Sequence, residues 1–181
     1  MRKEIRIGGF GGQGIGLAGH IIGKALTIYD GKEAVMTQAY GPEARGGASS
    51  ANIVLADRPI DYPFVQHPDV LIILSQEAYT KFRPTAQPEA IILIDENLVI
   101  PTDDDMVHKI PATQIAEELG WRIISNMVML GFFTATTGLV SRGAMEQSIA
   151  TSVKQEFKEV NLLAFARGFE YAPLKAPGVG T

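Results

Sequence analysis

Near its start the chain reads Gly8-Gly9-Phe10-Gly11-Gly12-Gln13-Gly14, and the last six of these residues satisfy the G-x-G-x-x-G spacing. Glycines in such a turn let the backbone approach a ligand closely. The helix expected after them offers unpaired N–H groups and a positive dipole end to an anion. Gly9, Gly11, Gly12, Gln13 and Gly14 are therefore candidates for contact with a phosphate or a partner's backbone. The bland alternative is a turn whose glycines only let strand and helix pack closely. Gln13 favours function, because an amide at a helix start can hydrogen-bond a ligand or a partner, whereas packing alone would be served by an apolar residue.

Two further stretches could do chemistry. In Tyr40-Gly41-Pro42-Glu43-Ala44-Arg45-Gly46-Gly47-Ala48-Ser49, a stiff Gly-Pro turn and a Gly-Gly pair bracket a carboxylate and a guanidinium. The planar fork of Arg45 suits a carboxylate or phosphate, and Glu43 can orient it or hold a partner's cation. The alternative is an exposed ion pair worth about 0–1 kcal/mol. Asn126 opens a helix, where it is either a candidate contact or simply the helix N-cap.

Composition removes whole classes of function. With no cysteine in 181 residues there are no disulfides, thiolate nucleophiles or cysteine-held iron–sulfur clusters. The three histidines, His20, His67 and His108, have no metal-like spacing, and Asp103-Asp104-Asp105 reads as a solvated turn. Ser49 and Ser50 lack an identifiable histidine partner, so no catalytic set and no metal site is assigned. A net charge of −4 without a basic cluster argues against nucleic acid and anionic membranes. The absence of a signal-peptide pattern and of any spanning apolar run points to the cytoplasm.

These residues need a frame to hold them. A strand over 4–8 leads into the glycine turn and a helix to about residue 29. Strands are expected over 33–40 and 48–56 around the Glu43–Arg45 loop, then over 70–74, 90–94 and 106–110. Ser75 caps a helix to residue 82, and Pro111 starts another that Gly120 stops. The last third is helical: 126–137 ended by Gly138, 141–157 capped by Ser141, and 160–171. The tail from about residue 172 is expected to fray. Strands alternating with helices predict one α/β domain over 1–181, a three-layer α/β/α sandwich with a mostly parallel, Rossmann-like sheet; the second and third strands are expected to form an antiparallel or irregular insertion. Against a dinucleotide site, the far end of the second strand reads Thr37-Gln38-Ala39-Tyr40, with no acid for the ribose, and Glu33 stands at the wrong end.

Taken together, the glycine turn through Ile15, the Tyr40–Ser49 stretch and Asn126-Met127-Val128-Met129-Leu130-Gly131 resemble the gamma subunit of 2-oxoacid:ferredoxin oxidoreductases over nearly the whole chain. The form Glu43-Ala44-Arg45-Gly46-Gly47 looks more like the 2-oxoglutarate branch than the pyruvate branch. The resemblance implies a multi-subunit enzyme that oxidatively decarboxylates a 2-oxoacid, captures the acyl group on coenzyme A and passes electrons to ferredoxin. It implies that thiamine diphosphate, Mg2+ and iron–sulfur clusters belong to the complex, with none held by this chain alone, and that the isolated chain is inactive. The implied partners are alpha and beta subunits, with a delta subunit as a further candidate, and ferredoxin through the complex; an exposed apolar patch also allows a homodimer in isolation. The competing readings are a stand-alone nucleotide- or coenzyme A-binding module and a pure assembly scaffold.

Overall fold

The computed structural model describes residues 1–39 and 47–173. Its strands are β1 (Arg2–Gly9), β2 (Glu33–Ala39), β3 (Ser49–Ala56), β4 (Val70–Ile73), β5 (Ile91–Asp95) and β6 (His108–Ile110). They form one sheet in the order β2-β3-β1-β4-β5-β6. β1, β4, β5 and β6 run parallel, while β3 lies antiparallel between β1 and β2. The hairpin strands 2 and 3 are thus the antiparallel insertion in a mostly parallel sheet. β4 is the run Val-Leu-Ile-Ile with every residue buried, as expected where both faces of a parallel strand are covered.

The helices are α1 (Ile15–Lys24), α2 (Gln76–Phe82), α3 (Ala112–Glu118), α4 (Ser125–Thr137), α5 (Arg142–Ala150) and α6 (Lys158–Tyr171). Helices lie on both faces, but unequally. The larger core packs Ile5, Ile7, Ile53 and Ile72 of the sheet against α1, α3, α4, α5 and α6. The smaller core packs Leu71, Ile73, Ile92 and Ile94 against Ala78, Tyr79 and Phe82 of α2. Helix α4 is apolar all round, with Met127, Met129, Phe132 and Phe133 buried, which fits a helix enclosed by neighbours and not one lying at a surface. Among the described residues no helix is long and apolar enough to cross a membrane.

Local chemistry explains most boundaries. Ser75 and Ser141 cap α2 and α5 by accepting from Ala78 N and Ala144 N, each at 3.2 Å. Gly138 ends α4 in the left-handed region at φ 64°. Asp95, fully buried at the end of β5, accepts from Thr113 Oγ1 (2.6 Å) and Thr113 N (3.1 Å), which ties the start of α3 to the sheet. Burial pushes this carboxyl above its ordinary value, and those hydrogen bonds oppose the shift.

Several boundaries differ from the sequence reading. The first long helix widens into a π turn over Ala25–Tyr29. The helix expected over 141–157 stops at Ala150, because the Thr151 hydroxyl turns back onto the carbonyls of Gln147 and Ser148 and the chain then changes direction. Asp103 and Asp104 form the exposed turn expected, but Asp105 is tied into the fold: its carboxylate takes the Arg83 Nε–H at 2.7 Å and the Tyr79 hydroxyl at 2.5 Å.

Candidate functional site

Beyond the carboxyl ends of β1 and β2 lies a cleft of about 780 Å³. Open α/β sheets place their ligands outside the carboxyl ends of their parallel strands. Here α1 follows β1 onto one face of the sheet and α2 follows β4 onto the other. The floor of the cleft is Gly11, Gly12, Gly14 and the start of α1; Asn126 and Met127 come from the start of α4, and Phe157, Val160 and Asn161 from the start of α6.

The glycine turn is held in shape from behind. Gln13 Oε1 accepts from Phe10 N at 2.7 Å, and Gln13 Nε2 donates to the Leu74 carbonyl at 2.8 Å. Both ends of the amide expected to reach a ligand or partner are therefore engaged by the chain's own backbone, which braces the turn against the end of β4. Gly9 is also behind the surface, where a Cβ would meet Gln13 Oε1 at 2.5 Å and Ile15 Cδ1 at 2.7 Å. Gly14 has φ +70° and no room for a Cβ, because Asn126 Nδ2 stands there and donates to the Gly14 carbonyl at 3.3 Å. Gly11 differs from both: nothing lies within 4 Å of where its Cβ would stand.

Asn126 is not the N-cap of α4. It sits inside the first turn, with Oδ1 accepting from Met127 N at 2.9 Å and Nδ2 reaching Gly14, so that one side chain ties the starts of two helices together. Helix α1 has no side-chain cap at all. Its first N–H groups point along the axis into the cleft, ready for an anionic oxygen.

Much of the remaining wall is apolar and was not singled out from the sequence. Trp121 and Phe157 stack edge-on with centroids 5.9 Å apart, and Ile123 beside them is 64 % exposed. Lys154 brings a cation to the rim and forms no ion pair among the described residues. Ser152 lies in the same wall, with its Oγ buried beneath the surface and without a hydrogen-bond partner among the described residues. The clue available in the sequence was Trp121, an aromatic directly after the helix-stopping Gly120.

Of the candidates, then, the structure gathers Gly11, Gly12, Gly14 and Asn126 around one cleft and sets Gly9 and Gln13 behind it. Glu43 and Arg45 lie outside the described residues. Among the described residues no three of His, Asp and Glu are grouped to hold a metal ion. With no cysteine, nothing here fits an iron–sulfur cluster.

A mostly parallel sheet with this inserted hairpin, covered by helices and with a cleft over the glycine turn, defines a Rossmann-like α/β/α protein. The chain belongs to the pyruvate ferredoxin/flavodoxin oxidoreductase family, whose description matches residues 4–171. It is 52 % identical to the 2-oxoglutarate synthase subunit KorC of Methanocaldococcus jannaschii, over 95 % of each chain. The pyruvate synthase subunit PorC of Methanothermobacter thermautotrophicus is 32 % identical, over 92 % of this chain and 94 % of that one. Among solved structures, the gamma subunit of a keto/oxoacid ferredoxin oxidoreductase from Geobacter sulfurreducens superposes with a TM-score of 0.85 at 39 % identity, covering 94 % of this chain and 95 % of that one. The resemblance to gamma subunits and the α/β/α architecture are both borne out.

Proposed function

We propose that this chain is the gamma subunit of a 2-oxoglutarate:ferredoxin oxidoreductase and that its cleft receives coenzyme A. The higher identity to a 2-oxoglutarate synthase subunit than to a pyruvate synthase subunit supports the choice of oxoacid. The partners are the alpha and beta subunits, with a delta subunit where the complex has one, in the cytoplasm. Thiamine diphosphate with its Mg2+ and the iron–sulfur clusters reside on those companions and supply decarboxylation and electron transfer. This chain forms one domain that binds and orients the acyl acceptor.

The observation that carries the coenzyme A reading is the uncapped start of α1 beneath a bare glycine turn, opening on a largely apolar cleft. Coenzyme A is a phosphorylated nucleotide on a long, weakly polar arm, and the cleft offers a match for each part. The α1 N–H groups and Lys154 suit its phosphates, Met127, Val153 and Val160 suit the arm, and the Trp121–Phe157 pair suits a stacked base.

The test is to co-express the chain with its genomic neighbours, purify through a tag on it, and assay 2-oxoglutarate- and pyruvate-dependent viologen reduction with coenzyme A. A brown complex active with 2-oxoglutarate is expected, and Lys154→Ala should raise KM for coenzyme A about tenfold, equivalent to about 1.4 kcal/mol, with kcat kept. An unchanged KM in both Lys154→Ala and Trp121→Ala would reduce the chain to a scaffold.

A further inference from the structure

The face of the sheet opposite α1 is only half covered. Helix α2 packs over β1 and β4, and among the described residues no helix packs closely over β2 and β3 on this face. A second trough, of about 470 Å³, lies on that bare half. Its floor is built by sheet register, which sets Arg6, Asn52 and Thr37 in one row across three strands with Ser50 beside them. Lys81 and Phe64 stand at its walls.

Arg6 is partly buried there and touches only neutral acceptors. Its Nε donates to Asn52 Oδ1 at 2.7 Å, Nη1 to Thr85 Oγ1 at 3.0 Å and Nη2 to the Val65 carbonyl at 2.8 Å, with the guanidinium 5.1 Å from the Phe82 ring centre. Three of the five guanidinium N–H groups are thereby used, which leaves one on each terminal nitrogen. Burial lowers the pKa of Arg6, with the charge of Glu4 opposing the shift. Glu4 itself is engaged elsewhere, by Arg2 at 2.9 Å and by the N–H groups of Gln66 and His67. Lys81 lies 5.5 Å from the same Phe82 ring and, among the described residues, pairs with no carboxylate. Arg6 and Lys81 thus both line one trough, and among the described residues neither forms an ion pair, in a chain whose net charge is −4.

We propose that this trough is a docking site for an acidic segment of a companion subunit, whose carboxylate pairs with the unused fork of Arg6 and with Lys81. A carboxylate matches one N–H on each terminal nitrogen of a guanidinium. Beside the trough Phe64 is 55 % exposed and stacks edge-on with Tyr62 at 5.5 Å, and exposed aromatics next to an arginine are the composition of a subunit interface more than of a small-anion site. The inference rests on the subunit reading above, and it concerns the face of the sheet away from the coenzyme A cleft.

Lys81→Glu tests it, because Lys81 is exposed and its replacement leaves the Arg6 hydrogen bonds in place. The variant and the natural chain are each co-expressed with the genomic neighbours, and the dissociation constant for the companions is measured against salt, with the melting temperature of the isolated chain as a folding control. Unchanged melting together with at least about tenfold weaker assembly and a flatter salt dependence is the expected result. Normal assembly by Lys81→Glu overturns the docking site and leaves the subunit reading standing. Failure of the natural chain to assemble removes both. Inorganic phosphate that raises the melting temperature of the natural chain alone, with assembly unaffected by the variant, makes the trough a free-anion site and also overturns the proposal.

Discussion

Gly131 on α4 and Gly168 on α6 occupy matching positions where the two helices cross at backbone contact. A Cβ on Gly168 would overlap the Val128 carbonyl oxygen and lie 2.7 Å from its carbon, and a Cβ on Gly131 would overlap the Phe165 carbonyl oxygen. Helix α6 thus approaches α4 as closely as its backbone allows, and its first turn forms part of the wall of the cleft through Val160 and Asn161.

Adding a methyl group at either glycine must therefore separate two helices, since rigid backbone cannot rotate away as a side chain can. Gly168→Ala should lower stability by about 3 kcal/mol or more, at the upper end of overpacking effects. Urea unfolding measures it; a loss below about 1 kcal/mol would show that α6 shifts freely on α4.

Gln13 carries a different kind of strain test. Its amide accepts from Phe10 N and donates to the Leu74 carbonyl, a division of labour that a carboxylate cannot reproduce. Gln13→Glu sets two acceptors against each other at Leu74 and should destabilise the chain by about 2 kcal/mol. If stability is unchanged while KM for coenzyme A rises, the residue serves the ligand and not the turn.

Sequence alone specifies the backbone around Gln13 but not where its side chain points. The strand, glycine turn and helix were legible, because residue types with special backbone freedom cluster there, and so were Ser75 and Ser141, whose capping is a local event. The direction in which the Gln13 amide points was not, since its partner Leu74 arrives from 61 residues away. The insertion of strands 2 and 3 could be anticipated because a loop and not a helix joins them, but the row Arg6–Asn52–Thr37 is a product of register, which no local pattern encodes. Trp121 and Lys154 escape notice for the same reason: they reach the cleft from two connections far apart in the chain, one between α3 and α4 and the other between α5 and α6. The overlong helix after Ser141 had a more local cause, as nothing but hydroxyl side chains marks its end.

The Arg83–Asp105 pair predicts a pH dependence of stability. The Arg83 guanidinium holds the Asp105 carboxyl below its ordinary value; burial works against that shift, and the Tyr79 hydroxyl adds to it. Because the folded pKa is the lower one, the unfolded chain binds more protons at acid pH. The pair's contribution is therefore present above the unfolded value of about 3.9 and is lost as pH falls through the folded value. Asp105→Asn should cost about 2 kcal/mol at pH 7, the range of a hydrogen bond to a charged group, and much less at pH 3. Urea titrations at the two pH values decide the matter, and a difference that does not change with pH would assign the effect to packing of the loop.

The glycine turn offers the cleanest separation of folding from binding. Gly12 and Gly14 have positive φ, +89° and +70°, so a side chain at either strains the backbone whatever the ligand does. Gly11 is not in that region, and its missing Cβ faces open space. Gly11→Ala should leave stability within about 0.5 kcal/mol of the natural chain, as for other unconstrained surface positions. The added methyl group nevertheless occupies the space through which a phosphate must approach the first N–H groups of α1. In the assembled enzyme the same substitution should raise KM for coenzyme A about tenfold while kcat, set by chemistry on the companion subunits, is kept. Gly12→Ala should instead lose about 1–2 kcal/mol of stability as well. If Gly11→Ala leaves KM at its natural value, the α1 terminus does not meet the coenzyme, and the ligand must be held by the Trp121 and Lys154 side of the cleft alone.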